Sequence, residues 1–576
     1  MVSFKSDFPE VPPLPDINVH DFMFTLPGRT PEKDYVLHVD GISGKKVLRS
    51  EFLERVRDGA TALGAPESAG GFGINAPDGE IVGIFSHNAL DYVTLVHSLL
   101  YIATPFALLS AHSTAFELTH GLRTADVTRL FVQPRLLQTA LQAAKEVGLP
   151  EDRIYILGGS SSGRKNFSEA IGDVSARRIP QTPVRPAKRD TLAYLVFSSG
   201  TTGLPKAVMI SHGNINFTLA QTAIVATVDP RPVLVCANLE TTPVALAFLP
   251  MYHTYGLHMF CFRGFLAPLT TVIVPKWDID LILKVIREYR INILYLIPSA
   301  VHQLVQNKTL RQEIFSSVTT IVSGAAHLPP ELVDKFRHTL GQPVEYSEGF
   351  GMSELTISAT RVPTVSLFDG RIPHVPGSVG ILLPGMEGRI VRDDGSDAPV
   401  GESGELWLRG GNVALGYWKN EAATRATFVE DGWLKTGDHF RVDELGRLFF
   451  MDRAKDTLKV SGAQVSPTEI ESVLTAHPHK LVVDACVGGV SGGRTSDERV
   501  PRAWVVLSDE GRKRGVAQAL QELETWARKN LSSYKWLRGG IEAIHEIPKS
   551  PTGKVLRRKL QDQYEAQRLK SITARL

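Results

Sequence analysis

Residues 194–206, YLVFSSGTTGLPK, join an apolar strand pattern to six consecutive small or hydroxylated residues: Ser198, Ser199, Gly200, Thr201, Thr202 and Gly203. Glycines let backbone N–H groups approach oxygen atoms closely, hydroxyls donate further hydrogen bonds, and Lys206 adds a positive charge. A loop of this composition can close on phosphate groups. It is not a Walker A loop, because GxxxxGK[ST] cannot be drawn through it. Serine- and glycine-rich segments are usually mobile surface loops. Here the strand before it and Pro205-Lys206 after it favour a built loop.

Outward from this stretch, short apolar runs such as IVGIFS, TRLFVQ, RIYILGG, TTVIVP, NILYLIP and TTIVSGA alternate with helical patterns such as LDYVTLVHSLLYIA and DLILKVIREYR. That alternation predicts the α/β class, with a large N-terminal domain of layered mixed and parallel sheets over residues 1–454. From Gly377 the strands and turns come closer together, which predicts a β-rich subdomain over residues 375–453. Beyond it, charged helix-bearing segments such as PTEIESVLTAHP and GVAQALQELETWARKN predict a small α+β C-terminal domain over residues 455–576. Residues 177–189, RRIPQTPVRPAKR, read as an exposed loop.

Composition narrows the partners. Sixty-three basic side chains stand against 61 acidic ones in 576 residues, so no global field draws the chain to nucleic acid or an anionic membrane. The three cysteines, Cys236, Cys261 and Cys486, are too few and too scattered for a disulfide framework or metal cluster, and suit a reducing compartment. The N-terminal MVSFKSDFPEVPPLPD carries acidic residues and prolines where a secretory signal needs a basic start and an apolar core. Residues 99–111 are broken by Thr104 and Pro105, and 244–251 are too few to cross a bilayer, which takes about 20 apolar residues. No membrane span is expected. The closing Ala574-Arg575-Leu576 is a small-basic-leucine tripeptide of the Ser-Lys-Leu kind, which predicts the peroxisomal import receptor as a partner, with the cytoplasm as the other location.

Four further segments carry chemistry: SEGFGMSELT (347–356), WLKTGD (433–438), MDRAKDTLKVSGAQVSPTEIE (451–471) and IPKSPTGKVLRRKL (547–560). With the first loop they resemble the signatures of the adenylate-forming superfamily of acyl-CoA synthetases, coumarate-CoA ligases, beetle luciferases and peptide-synthetase adenylation domains. The resemblance covers most of the chain and is nearest to fungal coumarate-CoA-ligase-like acyl-CoA ligases. It implies activation of a carboxylic acid by ATP, with Mg²⁺, to acyl-AMP and pyrophosphate, followed by acyl transfer to CoA. The alternatives are a stand-alone adenylation enzyme loading a carrier-protein thiol, a luciferase-like oxidative enzyme, and a non-catalytic nucleotide-binding relative.

The resemblance also implies roles. Residues Ser198 to Gly203 with Lys206 would cradle phosphates. Gly349, Phe350, Gly351 and Ser353 would form the adenine segment, Phe350 stacking on the base and Glu354 sitting at the Mg²⁺-linked position. Asp438 would take both ribose hydroxyls, since a carboxylate has two acceptor oxygens, and Arg453 would help it hold AMP. Lys455 matches the hinge of the mobile C-terminal domain, while Lys459 and Gly462 match the CoA-facing side. Lys554 would touch the acid's carboxylate and the α-phosphate, neutralising the charge that builds between two anions. In FLPMYHTYGL (248–257), His253 falls at the position gating the thiol tunnel, and in VSGAAHLPPEL (322–332), Ser323, Gly324 and Ala325 fall on the acyl pocket. Ala207, Glu348, Ser353, Ser461, Ala463 and His327 depart from the commonest pattern. Between Thr241 and Thr271 there is no Asp or Glu to pair an α-ammonium, and a buried ammonium without a partner is costly. The expected substrate is an aryl or medium-length acid without an α-amino group.

Overall fold

A computed structural model of the chain describes all residues except 1–2, 27–32, 76, 78, 160–162, 199–203, 230–241, 308–309, 325–329, 365–366, 393, 454–457, 461–462, 466, 493–498, 549–556 and 574–576. The chain divides into two compact units. The first holds residues 1–111, 122–197 and 207–452, and the second 112–121, 198–206 and 453–576.

The first unit is layered α/β. One seven-stranded sheet runs, in spatial order, Glu345–Glu348, Thr320–Ser323, Ile293–Leu296, Val244–Ala247, Thr270–Ile273, Val36–Asp40 and Lys46–Leu48. Its neighbours are parallel apart from the closing pair Val36–Asp40 and Lys46–Leu48. A six-stranded sheet follows the order Ile154–Ile156, Arg129–Val132, Val82–Phe85, Phe106–Leu109, Leu192–Ser198 and Lys206–Ser211, the first five neighbouring in parallel. Interior parallel strands are covered on both faces, so their sequences are apolar throughout, whereas the edge strand Glu345–Glu348 is polar and has no buried residue. Val82–Phe85, Phe106–Leu109 and Ile293–Leu296 are accordingly buried at every residue. The helix Leu90–Tyr101 is buried from Tyr92 to Tyr101. Helix Ile279–Glu288 is amphipathic instead, capped by Asp278, whose Oδ1 accepts from Leu281 N at 3.0 Å, and it buries Ile282, Leu283, Val285 and Ile286.

The β-rich part is a second seven-stranded sheet in the order Phe4–Lys5, Glu387–Val391, Gly404–Arg409, Leu434–Val442, Leu448–Arg453, Ser378–Leu382 and Thr360–Arg361, in which the first three neighbouring pairs and the last two are antiparallel. Gly404–Arg409 alternates buried and half-buried residues, as a one-sided sheet requires. The sheet thus recruits Phe4–Lys5 from the far end of the sequence and Thr360–Arg361 from before the change of rhythm. Residues 177–189 have no regular structure, as read, but are pinned down: Arg185 N donates to Tyr101 O, Asn18 Nδ2 to Arg185 O, and Ala187 is buried.

The second unit has a three-stranded sheet in which Val482–Ser491 pairs antiparallel with Arg499–Leu507, which pairs in parallel with Ile541–Ala543. Helices Pro467–Thr475 and Val516–Asn530 contribute Ile470, Val473, Leu474, Ala519, Leu523 and Ala527 to one core with the sheet. Within this unit Lys535 Nζ donates to Glu117 at 2.7 Å and to Glu469 at 2.8 Å, all three side chains being less than a tenth exposed. Among the described residues no helix is long and apolar enough to cross a membrane. The tripeptide Ala574-Arg575-Leu576 lies outside the described residues.

Candidate active site

The segment 347–356 leaves the parallel strand Glu345–Glu348 and doubles back beside residues 359–362. Ala359 N donates to Phe350 O at 2.9 Å and Val362 N to Glu348 O at 2.9 Å. The return is so close that a Cβ on Gly351 would overlap Ile357 O and one on Gly349 would overlap Thr360 O. These two positions need glycine for space, not for φ. A 3₁₀ turn over Ser353–Leu355 then buries Glu354, and Thr356 closes it with φ +64°, a positive value unusual for a β-branched residue. The strain is supported: Thr356 Oγ1 donates to Asn412 O at 2.7 Å, and Asn412 Nδ2 donates to Leu355 O and Ser358 O, both at 3.2 Å. The Glu354 carboxylate, buried, accepts from Tyr417 Oη at 2.8 Å.

Asp438 is aimed by a bulge. Strands Gly404–Arg409 and Leu434–Val442 pair Glu405 with His439 and Trp407 with Lys435, so Leu406 alone faces Thr436, Gly437 and Asp438. Gly437 takes φ +71° there, and its N–H donates to Glu405 Oε1 at 2.9 Å. Beyond the bulge Asp438 and Phe440 share the buried face of the strand. The Phe350 ring meets Phe440 edge-to-face with centroids 4.9 Å apart. Phe350 and Asp438, 88 positions apart in sequence, therefore converge on one face of the sheet. Phe350 is only 8% exposed, so most of its ring is core packing and a limited part is left for a ligand.

The strand Lys206–Ser211 is tied to the loop that carries Tyr417. Leu415 N donates to Met209 O, Met209 N to Gly416 O, and Trp418 N to Ala207 O. Ala207, where the family pattern has glycine, buries its methyl group. Ser198 ends its strand buried, and Ser199 to Gly203 lie outside the described residues.

Of the residues expected at the acyl site, His253 precedes the short helix Thr254–Leu257 and is exposed, its ring 4.9 Å from that of Tyr252. Tyr255 Oη donates to Val322 O at 3.1 Å, and a Cβ on Gly324 would stand 3.2 Å from its ring. Tyr255 thus covers the end of Thr320–Ser323, where Ser323, buried, and Gly324, half-buried, lie. Ala325 lies outside the described residues. Tyr194 Oη and His258 Nε2 are 2.8 Å apart, and burial pushes the His258 imidazole well below its usual range and the Tyr194 phenol up. The sequence reading missed Tyr255, Asn412 and Tyr417. Aromatic runs such as YHTYGL and GYW hint at buried tyrosines, but nothing local identifies their partners.

In the second unit, Leu458–Val460 and Ala463–Val465 form a small antiparallel ladder pairing Lys459 with Gln464. Arg453 ends the strand Leu448–Arg453. Lys455, Gly462 and Lys554 lie outside the described residues.

The AMP-binding enzyme family model matches residues 51–418, and the AMP-binding enzyme C-terminal domain model matches residues 469–554. A Dictyostelium discoideum protein named Probable 4-coumarate–CoA ligase 1 is 31% identical over 547 residues, covering 92% of each chain. Acyl-CoA ligase AKT1 of Alternaria alternata is 29% identical, covering 96% of each chain. Among solved structures, the amide bond synthetase McbA from Marinactinospora thermotolerans superposes with a TM-score of 0.75 at 24% identity, covering 95% of this chain and 98% of that one. The o-succinylbenzoate CoA synthetase MenE of Bacillus subtilis does so with a TM-score of 0.71 at 23% identity, covering 92% and 95%. At these identities the structures share the fold.

Proposed function

The chain belongs to the AMP-binding enzyme family, and on that premise we propose that it joins a carboxylic acid to coenzyme A in two steps, through an acyl-AMP intermediate. It is an AMP-forming acid–thiol ligase of the acyl-CoA synthetase kind, using ATP and CoA as substrates. The observation that carries this reading is the convergence of Phe350 and Asp438 on one sheet face, beside the clamped turn that buries Glu354. An aromatic edge, a two-oxygen acceptor and a fixed carboxylate suit adenine, ribose and the phosphate end of one nucleotide.

In this reading Ser198 to Gly203 and Lys206 hold the β- and γ-phosphates. Lys554 brings the acid's carboxylate against the α-phosphate. Arg453 assists Asp438, Lys455 is the hinge, and Lys459 and Gly462 face CoA in the second step. Among the described residues no group of three or more His, Cys, Asp or Glu side chains is placed to hold a metal. One fixed carboxylate, Glu354, nevertheless fits Mg²⁺, which usually takes one or two protein carboxylates and fills its remaining positions with phosphate oxygens and water. Glu354 would hold it, and when bound it would neutralise phosphate charge. His253, Ser323, Gly324 and Ala325 line the acid's site, which takes an aryl or medium-length acyl group. Where Leu576 is the mature C-terminus, Ala574-Arg575-Leu576 directs peroxisomal import. A fluorescent fusion that is diffuse with and without the tripeptide would exclude that address.

The test is a panel of carboxylic acids incubated with ATP and Mg²⁺, following pyrophosphate, and then with CoA, following the thioester by mass. Acid-dependent pyrophosphate and a CoA thioester support the reading. Pyrophosphate without thioester, restored by a phosphopantetheinylated carrier protein, would move the acceptor from CoA to protein.

A further inference from the structure

Arg263 has no part in the roles above. It follows the irregular helical segment His258–Phe262, and its neighbours in sequence on both sides are buried. Its Nη2 donates to Ser358 Oγ at 3.1 Å, and its buried Nε has no hydrogen-bond partner. Among the described residues no carboxylate pairs with it. Three other arginines of this unit pair with carboxylates, Arg129 with Glu80 at 3.0 Å, Arg361 with Asp229 at 2.8 Å and Arg389 with Asp397 at 2.7 Å, while Arg185 donates to Asn75 Oδ1 and Ile102 O.

The groups around Arg263 do not neutralise it. Tyr255 and Tyr295, its electrostatic neighbours, are held in the neutral phenol form by burial, and His258 is held in the neutral imidazole form. Burial lowers Arg263 itself to about 10, which leaves it a cation at neutral pH. A desolvated charge without a counter-charge destabilises a fold unless a ligand supplies one. Arg263 keeps part of its surface accessible. It is linked electrostatically to Tyr255, whose ring packs on Gly324 at the proposed acyl site.

We propose that Arg263 is a specificity-determining residue that pairs with a second carboxylate on the acid, so that the substrates are dicarboxylic acids activated at one end. This rests on the ligase reading above. The planar guanidinium meets a carboxylate with two parallel N–H···O bonds. A purely hydrocarbon tail would leave the cation unpaired and is selected against.

The test uses the full-length chain with succinic through sebacic acids, each beside its monocarboxylic counterpart, in wild type, R263M and R263K. Two quantities are read: thermal stabilisation by the acid alone, and pyrophosphate release with ATP. In wild type the best dicarboxylic acid raises the melting temperature more than its counterpart does, and its kcat/KM is higher by about 100-fold. R263M loses both preferences while keeping its activity on monocarboxylic acids, R263K keeps part of them, and unliganded R263M melts no lower than wild type because it has lost an uncompensated cation. Equal binding and turnover of the two series, or a preference that survives R263M, would overturn the assignment with the ligase reading intact. Arg263-dependent binding of dicarboxylic acids without pyrophosphate from any acid would uphold the assignment and sink the ligase reading.

Discussion

Tyr417 Oη donates to Glu354 Oε1 at 2.8 Å, joining two buried side chains 63 positions apart. One carboxylate oxygen is thereby engaged by the protein, and the orientation of the group is fixed. Removing the donor leaves a buried carboxylate with one fewer hydrogen bond, and bonds to charged groups contribute about 1.5–3 kcal/mol. Tyr417→Phe should therefore lower kcat/KM for ATP by roughly 10- to 100-fold, with the KM for the acid little changed. Initial-rate kinetics in both substrates check this. An effect confined to the acid would detach Glu354 from the nucleotide.

Among the described residues of the first unit, burial keeps His20, His38, His97, His212 and His258 neutral. Burial lowers His20 to about 4, lowers His38, His97 and His212 to about 3, and puts His258 further down. An unfolded chain protonates them near 6.5. Between that pH and the folded values the unfolded state binds more protons, so stability is complete above about 6.5 and is lost as pH falls. Each group adds up to about 1.4 kcal/mol per pH unit to that slope. His38 packs edge-to-face on Phe52 at 5.2 Å and on Phe265 at 5.7 Å, so His38→Phe keeps an aromatic there and should flatten the slope by one proton between pH 6 and 5. Urea titrations across that range measure it. An unchanged slope would show that His38 is protonated in the folded protein.

The two lysines of the C-terminal motifs should fail differently, because one cleft can host both steps only if the small domain presents a different face for each. Lys554→Ala should slow acyl-AMP formation by roughly two or more orders of magnitude and spare thioester formation from supplied acyl-AMP. Lys459→Ala should do the reverse. Pyrophosphate release and CoA consumption from synthetic acyl-adenylate separate the halves. Equal loss of both steps in both variants would contradict domain alternation.

The parallel sheets were legible because strands covered on both faces leave uninterrupted apolar runs: IVGIFS, TRLFVQ and NILYLIP each became a buried strand. The glycines of SEGFGMSELT were legible as a motif, and the reason for them, carbonyl oxygens where a Cβ would stand, appeared only in the fold. Phe106–Leu109 and Val244–Ala247 drew notice only as stretches unfit for a membrane, since four apolar residues carry no period. Phe4–Lys5 is too short to read as a strand and is one only because Glu387 and Gly388 lie opposite. Tyr417, Asn412 and Arg263 were silent for a common reason. Their significance lies in what stands across from them, or fails to, and that is set by contacts spanning 54 to 95 positions of sequence.

In the proposed reaction the acid's own oxygen attacks the α-phosphorus of ATP before sulfur meets the acyl carbon. An accepted acid whose two carboxylate oxygens carry a heavy isotope tests it directly, with AMP, pyrophosphate and thioester analysed by mass after turnover with CoA. One labelled oxygen is expected in AMP, one in the thioester carbonyl and none in pyrophosphate. Unlabelled AMP, or label in inorganic phosphate beside ADP, would contradict that reaction.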